Sequence, residues 1–178
     1  MTFDEKTISS EVVYEGPIFN IRKHHVETVN GTGYRDVLEH NGGVATIAVK
    51  EDGNVIMIKQ FRKPIERVIM EIPAGKREID EDPLNTAVRE LKEETGYTAG
   101  KVEFLSKFYP SVGYSGEALY IYLCTDLTPG ETEFDECEAI DTFEMPLDEL
   151  YTMAINGEIE DGKTAIAIMQ AWAKLKSK

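Results

Sequence analysis

The sequence predicts an α/β fold in which helices pack on both sides of a mixed β-sheet. Short runs of β-branched and aromatic residues predict strands along most of the chain. Three other segments have the apolar spacing of amphipathic helices. Because the helices do not alternate strictly with the strands, a repeated βαβ fold is not expected. The pattern therefore indicates an α/β sandwich around a mixed sheet.

The first forty residues predict a small antiparallel β-domain. Its expected strands are separated by glycine-containing turns and lie at 11–14, 18–29 and 34–39. A turn-forming stretch that begins at Asn41 marks a boundary, so we expect domains at 1–40 and 41–178. Three strands are too few to enclose a core alone, and we therefore expect the N-terminal domain to support a homodimer.

The second domain is expected to contain most of the sheet. Its strands, rich in β-branched and aromatic residues, are predicted at 44–50, 55–61, 68–72, 102–109 and 117–127. The first two of these form a hairpin across Gly53. Two helices are predicted toward the C-terminus, at 147–155 and 164–176.

A third helix, between residues 82 and 96, has clear end signals. Asp82 is a preferred N-cap residue, and Pro83 suits the first helical position. Gly96 supplies the stop. The apolar side chains in between recur at helical spacing and are expected to form one apolar stripe of Leu84, Ala87, Val88 and Leu91.

Composition limits the classes of protein that fit. The chain has 178 residues, and 42% of them are hydrophobic, which is enough for a folded core. Its net charge of −14 argues against general binding to nucleic acid or to a membrane surface. We expect no signal peptide and no membrane span, because no apolar run has the required length. Cys124 and Cys137 are too few for a disulfide framework, so a cytoplasmic location is expected.

Glu90, Glu93 and Glu94 form an acidic face on the helix at 82–96. Spacings of three and four bring their carboxylates together near the helix C-terminus, where the helix dipole disfavours negative charge. One interpretation is a solvated acidic surface. The other is a site for Mg²⁺, a hard cation that takes oxygen ligands and shares them with substrate phosphates. Spacing alone leaves both interpretations open.

The residues around this face resemble the Nudix box. They follow the pattern G-x₅-E-x₇-R-E-L-x-E-E-x-G at Gly75, Glu81, Arg89, Glu90, Leu91, Glu93, Glu94 and Gly96. Tyr97 follows, where the family more often has an aliphatic residue. The resemblance implies a Nudix hydrolase with the α/β/α sandwich of that family, and an ion pair between Glu81 and Arg89 that fixes the loop against the helix.

The same resemblance implies a set of metal ligands. Glu90 and Glu94 would be the principal Mg²⁺ ligands, and Glu93 would assist directly or through water. The carbonyl oxygen of Ala74 could join them. Mn²⁺ is expected to be able to replace Mg²⁺.

Other segments resemble one branch of the family, the ADP-ribose pyrophosphatases. These segments are 60–62, 71–75 and 161–165. The implied reaction is Mg²⁺-dependent hydrolysis of the pyrophosphate bond of ADP-ribose to AMP and ribose 5-phosphate. In that family the small N-terminal β-domain is exchanged between the two subunits of a homodimer.

One departure from the branch keeps other substrates open. The family usually has proline immediately before the glycine that is Gly113 here, and this chain has Val112. Another nucleotide sugar, such as a GDP-sugar, is therefore an alternative small-molecule substrate. A non-catalytic, nucleotide-sensing Nudix domain is a further alternative. Such modules commonly lose box glutamates and carry a DNA-binding extension, and this sequence has neither feature.

The base that activates water is expected outside the metal ligands, because a carboxylate that holds a metal is a poor proton acceptor. The resemblance places this base in a second acidic cluster, residues 131–138. Glu138 is the first choice and Glu136 the second. Glu131 and Glu133, in the same cluster, are expected to lie in a solvated loop.

Three residues are expected to contact the substrate. Arg62 could bind phosphate or the terminal ribose through its guanidinium fork, although a surface arginine at a strand end is the alternative. Glu117 could accept ribose hydroxyls, and Gly113 lies in the same loop. Adenine would need an aromatic residue to stack on, for which Phe19 and Tyr34 are the candidates.

Overall fold

A computed structural model describes residues 4–133 and 139–176 of the chain. The chain forms two compact units. The N-terminal unit comprises the residues up to Gly42 together with Tyr109–Ala118, and the larger unit comprises Gly43–Phe108 and the residues from Leu119 onward. The predicted N-terminal sheet and the predicted mixed sheet are both confirmed.

The N-terminal unit is built on a three-stranded antiparallel sheet. Its strands, in the spatial order β1-β2-β3, are β1 (Thr7–Glu15), β2 (Asn20–Thr28) and β3 (Gly31–Glu39). Within the same unit, the loop Tyr109–Ala118 attaches to β3: Leu38 N donates to Tyr114 O at 2.7 Å, and Gly116 N donates to Leu38 O at 3.1 Å. Of the described residues in the three strands, only Val26 is buried.

The larger unit contains a seven-stranded mixed sheet. Its main path has the order β10-β5-β4-β9-β8, with β6 paired to β5 and β7 paired to β4. The β4–β9 pair is parallel and the others are antiparallel. The strands are β4 (Gly43–Val49), β5 (Asn54–Arg62), β6 (Arg67–Glu71), β7 (Ala74–Lys76), β8 (Thr98–Phe108), β9 (Leu119–Thr128) and β10 (Ile140–Pro146).

Three helices cover the two faces of this sheet. They are α1 (Pro83–Thr95), α2 (Leu147–Ile155) and α3 (Gly162–Lys176). Alternate residues of β4 point to opposite faces. Ala48 packs with Leu91 of α1, whereas Ile47 belongs to the core formed with α2 and α3. The predicted α/β/α sandwich is therefore confirmed. No described helix is long and apolar enough to cross a membrane.

The ends of α1 lie where the sequence predicts them. The Asp82 side chain accepts a hydrogen bond from Leu84 N at 2.8 Å, and Gly96 ends the helix in the left-handed conformation with φ of 75°. The predicted apolar stripe is only partly buried, since Leu84 and Val88 are 42% and 43% exposed. The helix instead packs on a face that contains Ala87, Leu91 and also Glu94, so one carboxylate of the acidic face is buried.

Candidate active site

The carboxylates of Glu90 and Glu94 pack directly against the backbone of β7. Glu94 is 2% exposed, and its Oε2 accepts a hydrogen bond from Ala74 N at 2.9 Å. A Cβ atom built on Gly75 would overlap the carboxylate of Glu90. Glycine is therefore required at this position to leave space for Glu90. We call this arrangement of Ala74, Gly75, Glu90 and Glu94 the carboxylate cradle.

Arg89 connects the cradle to the preceding loop. Its Nη1 lies 2.8 Å from Glu90 Oε1 and 2.9 Å from Glu93 Oε2, and its Nη2 lies 3.3 Å from Glu81 Oε2. The predicted ion pair of Glu81 and Arg89 is thus confirmed. Burial opposes the charge on Arg89, but hydrogen bonds and attraction from these carboxylates outweigh it and raise the pKa of the guanidinium above its ordinary value.

Glu81 is held in its ionised form by local hydrogen bonds. Its carboxylate accepts the backbone N–H of Glu78 at 3.0 Å and also contacts Arg89. These two interactions, in that order of size, lower the pKa of Glu81 from 4.5 to about 2. The loop that leads into α1 is therefore fixed by an ionised carboxylate across the pH range in which most proteins work.

The residues of the cradle suit a hard divalent cation. The available ligand atoms are carboxylate and carbonyl oxygens, which Mg²⁺ prefers, and the lack of a side chain at Gly75 lets the Glu90 carboxylate lie against β7. Within residues 4–133 and 139–176, no three His, Cys, Asp or Glu side chains are already arranged as a metal site. Glu90 and Glu93 are instead ion-paired to Arg89. Glu90, Glu93, Glu94 and the Ala74 carbonyl as metal ligands remain a prediction.

Arg62 forms a forked ion pair with a buried carboxylate. Its Nε and Nη2 donate to Oε1 and Oε2 of Glu71 at 2.6 and 2.8 Å, and Glu71 is 1% exposed. The hydrogen bond to Glu71 raises the pKa of Arg62, and the more distant charges of Asp161 and Glu94 act in the same direction. The Arg62 side chain is 38% exposed. The predicted role of Arg62 in binding substrate remains untested.

Glu71 also contacts the first turn of α3. Lys163 Nζ donates to Glu71 Oε2 and, at 3.0 Å, to Asp161 Oδ2. Burial opposes ionisation of Glu71, but Arg62 and Lys163 outweigh it and keep the pKa of this carboxyl below its ordinary value. No role for Glu71 or Lys163 is predicted from the sequence. An acidic residue within an otherwise apolar strand could have indicated a buried ion pair.

Two predicted substrate residues lie in the N-terminal unit. In the loop Tyr109–Ala118, the Glu117 carboxylate lies 3.8 Å from Nδ1 of His40, and a Cβ built on Gly113 would meet no atom within 4 Å. The proposed contacts of Gly113 and Glu117 with substrate remain predictions. Tyr34, one candidate for stacking on adenine, is 65% exposed and stacks on His25 with ring centroids 4.9 Å apart.

The predicted base residues, Glu136 and Glu138, lie outside the described residues. The chain immediately before them is attached to α1. Glu133 N donates to Glu93 O at 2.9 Å, and the Glu133 carboxylate forms an ion pair with Lys92 at 2.7 Å. Glu133, expected to lie in a solvated loop, is thus tied to the helix, although its side chain is 62% exposed.

Comparison with protein-family models gives two matches. Residues 39–166 match the NUDIX domain, and residues 5–36 match the nucleoside diphosphate sugar hydrolase N-terminal domain. The chain is also similar to a crystal structure titled as an ADP compounds hydrolase, with a TM-score of 0.84 over 97% of this chain and 95% of the other. At 23% identity, this structural similarity supports the fold alone.

Curated relatives match over nearly the whole chain. An ADP-ribose pyrophosphatase of Bacillus subtilis is 42% identical over 94% of this chain and 92% of its own length. A methanol dehydrogenase activator of Bacillus methanolicus is 40% identical over 99% of this chain and 98% of its own. A GDP-mannose pyrophosphatase of Yersinia pestis is more distant, at 29% identity over 86% of this chain and 84% of its own.

Proposed function

Because this chain belongs to the NUDIX domain family, we propose that it hydrolyses the pyrophosphate bond of ADP-ribose and releases AMP and ribose 5-phosphate. The observation that carries the proposal is the carboxylate cradle, in which Glu90 and Glu94 are held against the backbone of β7. The relative named ADP-ribose pyrophosphatase, at 42% identity, supports this choice of substrate.

We propose Mg²⁺ as the cofactor, with Mn²⁺ able to replace it. Glu90 and Glu94 would hold the metal, with help from Glu93 and from the carbonyl oxygen of Ala74. When bound, the metal would neutralise phosphate charge and lower the pKa of a bound water. Arg89 contributes to the site before metal binding, since it lies between Glu90 and Glu93 and offsets their mutual repulsion.

Other residues would bind and orient the substrate. Arg62 would bind phosphate or ribose oxygens through guanidinium N–H groups other than those that donate to Glu71. Glu117 would accept ribose hydroxyls, and Gly113 would allow close approach, since nothing lies within 4 Å of its Cβ position. Glu138 would take the proton from the attacking water, with Glu136 as the second choice.

We also propose that the protein works as a cytoplasmic homodimer assembled through the N-terminal sheet. Every residue of β1 is exposed, and Ile8, Val12, Val13 and Tyr14 are each 44–52% exposed. Exposed apolar side chains in such density are typical of a protein–protein interface. A second copy of the sheet, exchanged between subunits, would cover them. The thiol of Cys124 is free and buried, which fits a reducing compartment.

A GDP-sugar is the second candidate substrate. Val112 stands where the ADP-ribose branch usually has proline, and it is 81% exposed in the loop that also contains Gly113 and Glu117. The GDP-mannose pyrophosphatase relative, at 29% identity, supports the same alternative. The difference between the two candidates lies in the nucleoside and the sugar, since both require hydrolysis of a pyrophosphate bond.

One experiment distinguishes these substrates. Purified protein with Mg²⁺ is incubated with ADP-ribose, ADP-glucose and GDP-mannose, and the release of AMP, GMP and sugar phosphate is followed by chromatography. We expect the highest kcat/KM with ADP-ribose, and equal amounts of AMP and ribose 5-phosphate. Faster release of GMP would favour the GDP-sugar, and no hydrolysis of any compound would contradict an enzymatic role.

A further inference from the structure

The segment from Glu71 to Ala74 is anchored at each successive residue. The Glu71 carboxylate bonds to Arg62 and Lys163. Ile72 N donates to Thr164 Oγ1 at 3.0 Å, Pro73 O accepts from Thr46 N at 2.8 Å, and Ala74 N donates to Glu94 Oε2 at 2.9 Å. The last of these bonds is part of the carboxylate cradle. The hydrogen bonds at Glu71, Ile72 and Pro73 therefore fix the position of Ala74, whose backbone forms one side, or wall, of the carboxylate cradle.

Two of the anchors come from the first turn of α3, 92 residues later in the chain. Thr164 is fully buried, and its hydroxyl accepts from Ile72 N while donating to Asp161 Oδ2 at 2.5 Å. Lys163 bridges Asp161 and Glu71. A single turn of helix thus holds both the side chain of Glu71 and the backbone of the next residue.

Stability alone is a weak explanation for this network. Removing charges from water carries a large desolvation cost, and apolar residues of the same size often stabilise a core equally well. Buried polar groups that are fully hydrogen-bonded do, however, select one geometry over its neighbours. The described part of the chain contains no buried side-chain nitrogen or oxygen without a partner. The Glu71–Lys163–Thr164 network therefore has the properties of a positioning device.

We propose that Lys163 and Thr164 are positioning residues for metal binding, acting through Glu71 and Ile72 on the wall of the cradle formed by Ala74. The inference rests on the proposed function, since it takes the cradle to be the metal site. Loss of either anchor would let segment 71–74 shift relative to Glu94. Metal affinity should then fall before substrate has bound.

The sharpest test compares Thr164→Val with Thr164→Ser. Valine keeps the shape of threonine but removes the hydroxyl that accepts from Ile72 N, whereas serine keeps the hydroxyl. Mn²⁺ binding is measured by electron paramagnetic resonance without substrate, together with Tm and the Mg²⁺ concentration for half-maximal hydrolysis. Valine also loses the hydroxyl's bond to Asp161, but only the bond to Ile72 N holds segment 71–74 directly. We therefore expect Thr164→Val to weaken Mn²⁺ binding about fivefold, as for loss of that one bond, and Thr164→Ser to stay near wild type.

Ile168→Val provides the control for a general loss of stability. Ile168 is fully buried in the same helix, within the apolar core, and the substitution removes one methylene but no hydrogen-bonding group. If Ile168→Val weakens Mn²⁺ binding as much as Thr164→Val at a similar fall in Tm, the network is structural only and the inference is wrong. Unchanged Mn²⁺ affinity in Thr164→Val would also overturn it.

Lys163→Met is the second variant, for use if Thr164→Val does not fold. It leaves Glu71 paired with Arg62 but removes the bond to α3, and Lys163→Arg restores the charge. We expect weaker Mn²⁺ binding in the first and recovery in the second; equal affinity in both would contradict the inference. A wild-type protein that binds Mn²⁺ but hydrolyses no nucleotide sugar would contradict the proposed function alone. The Mn²⁺ affinities of the variants would still show whether Lys163 and Thr164 position the metal site.

Discussion

Gly75 is the residue of β7 that leaves space for the carboxylate of Glu90. In Gly75→Ala, the new methyl group would overlap that carboxylate, which must move. We expect kcat to fall about 10²-fold, the size of effect that a displacement of about 1 Å in a catalytic site can produce. Weaker Mn²⁺ binding should accompany the loss, because Glu90 is a proposed ligand. Steady-state kinetics and metal titration measure the two effects.

Gly162→Ala is the matched control for this substitution. The Cβ position of Gly162 has no atom within 4 Å, and the residue lies at the start of α3. Alanine should therefore be accepted there with activity and metal affinity near wild type. Equal activity in Gly75→Ala and Gly162→Ala would mean that the Glu90 carboxylate can move away from the new methyl group without loss of activity. Glu90 would then not belong to the proposed site.

Glu138 and Glu94 are assigned different tasks, and substitution by glutamine should separate them. A base acts mainly in the transition state, so Glu138→Gln should lower kcat strongly, leave KM little changed and change metal affinity far less than Glu94→Gln does. Glu136→Gln should be milder. The variants are compared at saturating Mg²⁺ with ADP-ribose. If Glu136→Gln is the impaired variant, the base is Glu136 and not Glu138.

The loop that leads into α1 should lose stability in acid. The pKa of Glu81 is lowered from 4.5 to about 2, so its ionised form stabilises the folded state above pH 4.5. This contribution is lost as the pH falls from about 4.5 towards 2. We expect wild type to be more stable than Glu81→Gln at pH 6, with the difference in Tm shrinking as the pH falls to 3. A constant difference in Tm would contradict this account.

Helix and strand features that depend on residues nearby in the sequence could be predicted. Features that depend on contacts with distant residues could not. The ends of α1 depend on Asp82 and Gly96, whose preferences act within one helical turn, and both were predicted correctly. How far Val88 of the apolar stripe is buried depends on the sheet below the helix, and the spacing of apolar residues does not indicate it. β7 was missed because it has three residues and pairs only with β4, and β10 was missed as well.

The same distinction applies to the site. The acidic face of α1 and the Nudix box around it are short, continuous sequence patterns, and they could be predicted. The ion pair of Glu81 and Arg89 joins residues close in sequence and could be predicted too. The partners of Glu71 are distant: Lys163 lies 92 residues away, and no periodicity connects them. Each of the two segments separately resembles the ADP-ribose pyrophosphatase branch. Only the fold reveals that they contact each other.

The charge of the whole molecule opposes binding of its proposed substrate. The chain carries a net charge of −14, and a nucleotide sugar is an anion. The phosphate contacts must therefore be local, and the proposed ones are Arg62 and the cradle with metal bound. Much of the surface repels substrate, so the site alone has to provide the attraction.

The N-terminal unit includes a loop that follows the predicted boundary at residue 41. Tyr109–Ala118 bonds to β3 through Leu38, so removal of the first forty residues would also take away the backbone partners of this loop. Since the loop contains Gly113 and Glu117, deletion should abolish activity and not merely change the assembly. Aggregated or inactive protein is therefore the expected outcome of that truncation.

A point substitution tests assembly without removing the loop. Val12 is 44% exposed on β1, and Val12→Glu would place a charge in the proposed dimer interface. We expect wild type to be a dimer in light scattering coupled to size exclusion, and Val12→Glu to shift towards monomer with an unchanged circular dichroism spectrum. Ile155→Glu is the control, since Ile155 is also an exposed apolar residue, 57% exposed at the end of α2. A wild-type monomer with full activity would refute the dimer, and dissociation by Ile155→Glu alone would place the interface elsewhere.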